Sequence, residues 1–192
     1  MELKHKGSKK LSTERLYIRK YSPDDTQEIF DNWASSPDNT KGLAWKYHET
    51  IEETKKLVQA IISSYQLPFN YHWILELRET GECIGSIGLY FCDEVNLSAQ
   101  IGYCIGDDFK GKGYATEAVK AVLEFSFNEV EFNRIDAAIA VWNQDSVKVA
   151  EKCGMIFEGI ARKKYFFNPD GFEDTFMYSI LRSDYEKTDN KN

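Results

Sequence analysis

The residue periodicity of this chain changes near residue 106 from that of strands to that of a helix, and this change limits the folds open to it more than any other feature. Before it, three runs alternate apolar and polar side chains as β-strands do, over residues 71–78, 83–91 and 98–106. After it, apolar residues recur at the spacing of one helix face, at Ala115, Ala118, Val119, Val122 and Phe125. We therefore predict an antiparallel meander that leads directly into a helix over about residues 112–128.

The segments before the meander predict one strand and two helices. Residues 15–19 alternate and indicate a first strand. Ser22 is a good N-cap and Pro23 suits the first helical position, which predicts a helix to about Trp33. Thr50 and Glu53 form a capping-box pattern for a second helix to about residue 65.

The segments after the long helix predict strand, helix, strand, strand. Residues 135–141 alternate, and Asn143 can cap a helix that ends at Gly154. Two final strands, about 155–166 and 173–183, are joined by a turn signal at residues 168–171. The fold class is therefore α+β, a single domain with a mixed sheet.

Composition and the polar ends set the limits of the domain. With 42% hydrophobic and 14% aromatic residues, the chain can bury a full core. Residues 1–10 and 186–192 are polar and are predicted to be flexible, which leaves residues 11–185 as one domain.

Charge and cysteine usage narrow the functional classes. A net charge of −7 gives no general attraction to phosphate backbones and argues against nucleic-acid binding. There is no signal-like start and no apolar run of membrane-spanning length, so we expect a cytoplasmic protein. The four cysteines form no CxxC pair and the three histidines show no ligand spacing, so we expect free thiols and no metal.

The segment from residue 107 to residue 118 carries the clearest chemical signal. Gly111 and Gly113 let a ligand approach the main chain at the start of a helix, and Lys110 and Lys112 add positive charge. This pattern favours a bound diphosphate. The spacing fits neither a Walker loop nor a Rossmann fingerprint, since Thr116 replaces the third glycine. A plain glycine turn into a helix remains the structural alternative.

Residues 110–118, Lys-Gly-Lys-Gly-Tyr-Ala-Thr-Glu-Ala, resemble the pyrophosphate loop of GNAT-superfamily N-acetyltransferases, with lysine where Gln or Arg is usual. Residues 14–19, followed by two aspartates, look like the opening of its Rim-type branch, the ribosomal-protein N-terminal acetyltransferases and relatives. Asn143 with Ser146, and then residues 151–159, resemble that branch's Asn-x-x-Ser and Lys-x-Gly-Phe…Glu-Gly run. The resemblance covers about residues 12–183.

The resemblance implies a GNAT-like domain with about seven strands, splayed at a parallel pair, and about four helices. It implies acetyl-CoA as the acyl-donor cosubstrate, held between the strands around Tyr103 and Ile139, where Gly102 and Gly106 suit a bulge. The cofactor-binding residues carried over from the family are Tyr103, Cys104, Ile105, Lys110, Gly111, Lys112, Gly113, Tyr114, Ala115, Asn143 and Ser146.

The catalytic groups are less well defined by the resemblance. Ala150 stands where many GNAT enzymes carry a tyrosine that protonates the leaving thiolate, so Ser146, water or direct protonation must serve instead. The candidate general bases are Glu76, Asp93 and Glu94. Since no strong base is evident, low-pKa amines such as protein N-termini suit the site better than lysine side chains.

The resemblance also suggests where the acceptor and the nucleotide end lie. Aromatic residues in or beside the first two helices could form an acceptor pocket or simply pack in the core: Trp33, Trp45, Tyr47 and His48. Residues 162–164 could meet the 3′-phosphate of the cosubstrate or form a solvated strand end.

Together these features predict direct acetyl transfer to a primary amine in a ternary complex, with a protein N-terminus as acceptor. The alternatives are transfer to a polyamine or aminoglycoside, and a non-catalytic acyl-CoA-binding module. A homodimer is compatible with this prediction.

Overall fold

A computed structural model of the chain describes residues 2–43, 45–167 and 171–189. These residues form one eight-stranded sheet in the order β1-β2-β3-β4-β5-β6-β8-β7. The strands are β1 (Leu11–Ser12), β2 (Leu16–Arg19), β3 (Tyr71–Leu77), β4 (Cys83–Asp93), β5 (Ser98–Ile105), β6 (Arg134–Ala140), β7 (Ile156–Phe167) and β8 (Gly171–Leu181). The predicted mixed sheet is confirmed, with one strand more than expected, because two-residue β1 is too short to show alternation.

Six α-helices lie within the described residues, against about four predicted. They are α1 (Thr26–Ile29), α2 (Pro37–Thr40), α3 (Ile51–Ser64), α4 (Tyr114–Phe125), α5 (Gln144–Lys152) and α6 (Arg182–Asp189). A 3₁₀ turn, Pro23–Asp25, and a π turn, Phe30–Ala34, extend α1 into the predicted first helix. The two unpredicted helices are α2, a single turn, and α6, which occupies part of the end that was expected to be flexible.

The predicted helix starts are confirmed at three positions. The Ser22 side chain accepts from the Asp24 N–H, and Thr50 forms a capping box with Glu53. Asn143 Oδ1 accepts from the Ser146 N–H at 3.2 Å. These caps satisfy N–H groups that the first helical turn leaves without partners.

The one parallel strand pair, β5 with β6, is joined over only three residues. The pairing runs from Ser98 opposite Arg134 to Gln100 opposite Asp136, and then the two strands separate. The expected splay is therefore present. The expected bulge in β5 is wrong, because the register with β4 is continuous from residue 100 to residue 105. Gly102 instead makes room for the ring of Tyr90, whose nearest atom lies 3.1 Å from where a Cβ would stand.

Apolar side chains pack on both faces of the sheet. On one face, α4 and α5 cover a large cluster that includes the fully buried Trp73 and Phe132. On the other, α1 and α3 cover a smaller cluster around Trp33, Ile74 and Cys104. The open wedge between β5 and β6 connects the two faces.

The N-terminal residues pack against the domain, in contrast to their predicted flexibility. Leu3 is buried, and the Lys4 N–H donates to the Val130 carbonyl at 2.9 Å. The Trp73 indole donates to the Lys9 carbonyl at 2.8 Å. The hydrogen bonds of a polar segment can thus fix it where apolar periodicity gives no signal. The predicted turn at residues 168–171 lies almost entirely outside the described residues.

Across the three described ranges, we find no helix with the length and apolar character needed to cross a bilayer. All four cysteines are free thiols, with Cys83, Cys104 and Cys153 buried and Cys92 half-buried.

The core tolerates loss of volume poorly at Trp73, which is fully buried and stacks on Tyr71 at 5.8 Å. We expect Trp73→Ala to lower the free energy of unfolding by about 3–5 kcal/mol, since it leaves a cavity and an unpaired Lys9 carbonyl. Urea unfolding followed by circular dichroism measures this. Val95→Ala, at a residue that is 90% exposed, should change it by less than about 0.5 kcal/mol.

Candidate active site

Two cavities meet where β5 and β6 separate. The loop cavity, about 560 Å³, is bounded by α2, the end of β5, residues 109–111 and 113–116, and α5. The aromatic cavity, about 380 Å³, reaches from the wedge to α3, β3 and β4. Its aromatic lining consists of Tyr21, Trp33, Trp45, Tyr90, Phe91, Tyr103, Tyr165 and Phe166. Tyr103, Cys104, Asn143 and Ser146 line both cavities, so they mark the junction.

The glycine loop forms a receptor for an anion at the mouth of the loop cavity. Gly111 and Gly113 both have positive φ, +74° and +86°, a conformation that other residues rarely adopt. In the part of the chain that the structure describes, the backbone N–H groups of residues 111–116 donate to no protein acceptor. These groups surround the N-terminus of α4, whose dipole adds positive potential.

A partly exposed ion pair fixes this loop to the first strands. The Arg15 side chain donates to Glu117 Oε2 from Nε at 2.7 Å and to the Lys112 carbonyl from Nη1 at 3.0 Å. Glu117 Oε1 also accepts from the Thr13 hydroxyl and the Arg15 N–H, at 2.6 and 2.9 Å. The start of α4 and the loop before it are therefore held against β2 by charge-assisted hydrogen bonds.

The structure brings together nearly all of the predicted cofactor-binding residues. Ten of the eleven line the loop cavity: Tyr103, Cys104, Ile105, Lys110, Gly111, Gly113, Tyr114, Ala115, Asn143 and Ser146. Lys112 does not, because its ammonium lies over the Phe109 ring, 5.5 Å from the centroid, and its carbonyl faces Arg15.

Sequence reasoning missed several residues of the loop cavity. Lys148 and Lys152 line it from α5, where their spacing of four places them on one helix face. Asn39 lines it from α2, a helix that was not predicted. The lysine spacing was a usable signal, whereas nothing near Asn39 in the sequence points to the loop.

Two buried polar atoms in this region have no hydrogen-bond partner among the described residues, Asn39 Oδ1 and the Tyr103 hydroxyl. Both residues line the loop cavity. Burial raises the pKa of Tyr103 to about 12, and nearby Ser146 offsets part of that effect. Leaving such groups unpaired costs free energy, so the cavity suits a guest that offers both a donor and an acceptor.

The three carboxylates proposed as general bases lie away from both cavities. Glu76 accepts from Arg19 Nε. Asp93 caps its own turn by accepting from the N–H groups of Val95 and Asn96 at 2.8 Å each. Glu94 pairs with His5 at 2.7 Å. These contacts assign all three to structural roles.

The aromatic residues near the first helices divide into two pairs. Trp33 and Trp45 line the aromatic cavity. Tyr47 and His48 do not, and the His48 ring shares a 2.7 Å hydrogen bond with the Thr54 hydroxyl. Residues 162–164 are exposed on β7 and line neither cavity, in agreement with a solvated strand end.

Cys104 lies at the junction of the cavities but is not poised as a nucleophile. Burial raises the pKa of its thiol to about 12, so the thiolate is scarce at neutral pH. Ala150, at the position of the absent tyrosine, is buried and lines the aromatic cavity from α5.

Comparison with known proteins identifies one family. The family model of the acetyltransferase (GNAT) domain matches residues 15–156. The uncharacterized N-acetyltransferase p20 of Bacillus licheniformis is 31% identical over 176 residues, 91% of this chain and 97% of that protein. The ribosomal-protein-serine acetyltransferase of Escherichia coli is 27% identical over 142 residues, 73% of this chain and 78% of that protein. RimL, a ribosomal L7/L12 alpha-N-protein acetyltransferase solved with coenzyme A, superposes with a TM-score of 0.80 at 21% identity, over 90% of this chain and 98% of that one.

The contacts of Glu117 make the stability of the fold depend on pH. Burial raises the pKa of Glu117, but hydrogen bonds from Thr13 and Arg15 outweigh burial and leave it below the usual range. A lowered folded-state pKa means that this stabilisation is full above the unfolded pKa, about 4.3, and is lost as pH falls below it.

We expect Glu117→Gln to be less stable than wild type at pH 7 and to lose less stability between pH 5 and pH 3. Thermal unfolding across this range tests it, with the exposed Glu124→Gln as control; parallel curves would contradict it.

Proposed function

The chain belongs to the GNAT family of acetyltransferases and is an acetyl-CoA-dependent N-acetyltransferase; we propose that it acetylates a primary amine by direct attack in a ternary complex. The observation that carries this proposal is the junction of two cavities at the wedge between β5 and β6. One cavity has the groups for an acyl donor, and the other leads to the same point.

The residues of the loop cavity fit acetyl-CoA. The free N–H groups of residues 111–116 suit a diphosphate. Lys110, Lys148 and Lys152 line the same cavity, where Lys110 pairs with Asp107 at 2.5 Å and Lys148 with Asp145 at 2.9 Å. The unpaired Asn39 Oδ1 and Tyr103 hydroxyl suit the amides of the pantetheine arm, which offer both a donor and an acceptor. When bound, acetyl-CoA supplies an acetyl carbonyl that is activated as a thioester.

The residues at the junction support transfer without an acyl-enzyme. Cys104 keeps its proton, so it is not the nucleophile. Beyond Gln100 the edge of β5 is no longer paired with β6, which leaves its backbone groups free to orient a carbonyl. Ser146 is our candidate for donating a hydrogen bond or a proton to the departing sulfur, because Ala150 carries no hydroxyl.

The aromatic cavity supports a protein N-terminus as acceptor. Of the described residues that line it, none is Asp, Glu, Lys or Arg. A polyamine or aminoglycoside would bring several ammonium groups to a site with no carboxylate, at a high desolvation cost. An α-amino group costs only about 1 kcal/mol to neutralise at pH 7, against about 4–5 kcal/mol for lysine. The ribosomal-protein acetyltransferases among the relatives fit this class of acceptor.

A non-catalytic acyl-CoA-binding module remains the second candidate, because Ala150 removes the hydroxyl that many family members use. The four free thiols suit a reducing compartment, and we propose a cytoplasmic location on that basis.

We expect Gly113→Asp to weaken acetyl-CoA binding by at least about tenfold, since it adds negative charge beside the free N–H groups. Isothermal calorimetry measures the affinity. Gly81→Asp is a matched control, because Gly81 also has positive φ, +78°, but lies in the turn between β3 and β4 with open space around it. Equal affinities of the two variants would show that the loop does not hold the diphosphate.

We expect thiol release with peptides that begin with an uncharged residue, and much slower release with spermidine or an aminoglycoside. Among these amines, the α-amino group costs the least free energy to neutralise, so a cavity lined by no charged residue suits it best. A thiol-detection assay with the two acceptor classes side by side measures this, with N-terminally blocked peptides as the control. Faster turnover of the polyamine would contradict the N-terminal assignment, and tight binding without any turnover would favour the non-catalytic module.

A further inference from the structure

The aromatic cavity holds few groups able to accept a proton. Its described titratable residues are Tyr21, His72, Tyr90, Tyr103, Cys104 and Tyr165. Burial raises the pKa of each of Tyr21, Tyr90, Tyr103 and Cys104, so these four keep their protons at neutral pH. The Tyr165 hydroxyl donates to Gln100 Oε1 at 2.9 Å. His72 is therefore the group left to act as a base.

The His72 ring is placed to accept a proton. Throughout the described residues, no side chain or backbone group forms a hydrogen bond with it, while its own backbone is fixed by Ser8 and Tyr65. Burial lowers the pKa of His72, and no charged group adds to that effect. The imidazole is thus neutral near pH 7 and has an unshared lone pair on one ring nitrogen.

The sheet register connects His72 to the junction of the cavities. His72 lies opposite Gly88, and Gly88 lies opposite Gly102, so the three residues form one row on the same face. Gly102 follows the point where β5 and β6 part, and it lies two strand spacings, roughly 10 Å, from His72. Because two glycines separate them, the Tyr90 ring, and not a Cβ, covers the sheet between the imidazole and the wedge.

The ring of Tyr90 forms the floor of that space. Its atoms lie 3.0 and 3.1 Å from where Cβ atoms of Gly88 and Gly102 would stand, so only glycines let it lie this close to the sheet. Its edge contacts His72 at a centroid distance of 5.4 Å. An amine held on this floor has the imidazole on one side and the junction of the cavities on the other.

We propose that His72 is the catalytic residue that takes the proton from the acceptor amine, an inference that rests on the proposed acetyl transfer. As the amine nitrogen bonds to the acetyl carbonyl carbon and the carbon–sulfur bond breaks, one N–H proton passes to the free ring nitrogen. His72 then releases that proton, through water, to the departing thiolate. The sum is amine plus thioester giving amide plus thiol, and the imidazole returns to its neutral form.

The test compares His72→Gln with His48→Gln. His48 is the matched control because burial also lowers its pKa, but its ring is bonded to Thr54 and lies outside the aromatic cavity. With a peptide acceptor, kcat/KM of His72→Gln should fall by roughly 10²-fold or more, while that of His48→Gln stays within about threefold. Acetyl-CoA affinity, measured by calorimetry, should be the same for both variants and wild type.

A second acceptor separates proton transfer from a structural effect. Hydroxylamine is a weaker base than an α-amine and is neutral near pH 7, and its nitrogen loses a proton to water more readily during attack, so the deficit of His72→Gln should shrink to less than about tenfold. Added imidazole should restore part of the activity of His72→Ala with the peptide. The wild-type pH profile should lose an ionisation near that of a histidine in His72→Gln and keep it in His48→Gln.

The outcomes distinguish the two levels of the proposal. Full peptide activity in His72→Gln, with an active wild type, would overturn the role of His72 and leave acetyl transfer intact. Equal losses with peptide and hydroxylamine, or no rescue by imidazole, would assign His72 a structural role and overturn the inference. A wild type that binds acetyl-CoA but releases no thiol with any acceptor would overturn both proposals.

Discussion

The brevity of the β5–β6 pairing is the constraint on which the rest of the site depends. Three residue pairs hold the two parallel strands together, and beyond Gln100 they separate. If the two strands paired along their whole length, the sheet would be closed and its two faces would be separated. The wedge instead lets the loop cavity meet the aromatic cavity, with Tyr103 and Ser146 at the junction. Donor and acceptor can thus approach one point without competing for one entrance.

Charge divides the two cavities by function. The loop cavity has unpaired N–H groups and lysines from two elements, which suits a polyanion. The aromatic cavity has no described Asp, Glu, Lys or Arg in its lining, and His72 is the base that we propose for it. Burial there raises the pKa of Tyr21, Tyr90, Tyr103 and Cys104, so the low polarity that we propose selects an uncharged amine also keeps the Cys104 thiol protonated.

Local signals predicted the parts of this structure that depend on neighbours in sequence. Alternation gave the meander, and cap residues such as Ser22 and Asn143 gave the helix starts. The glycine loop was located from spacing, and the family resemblance then supplied most of the loop cavity. The features that the sequence did not predict depend on contacts between distant segments. Asn39 lies on a one-turn helix, and Lys112 turns away from the cavity so that its carbonyl faces Arg15. His72 lines a cavity that several strands and helices form together. For His72 the signal is the register of three strands, which a single sequence does not contain.

The ion pair between Arg15 and Glu117 joins residues about one hundred positions apart, and it lies directly behind the free N–H groups of the loop. Residues 110–118 therefore do not form the anion receptor on their own, because contacts with the first strands hold them in place. A fragment that begins after β2 would keep every glycine of the loop and still lack the scaffold that orients it. The receptor is in this sense complete only when residues about one hundred positions apart have come together.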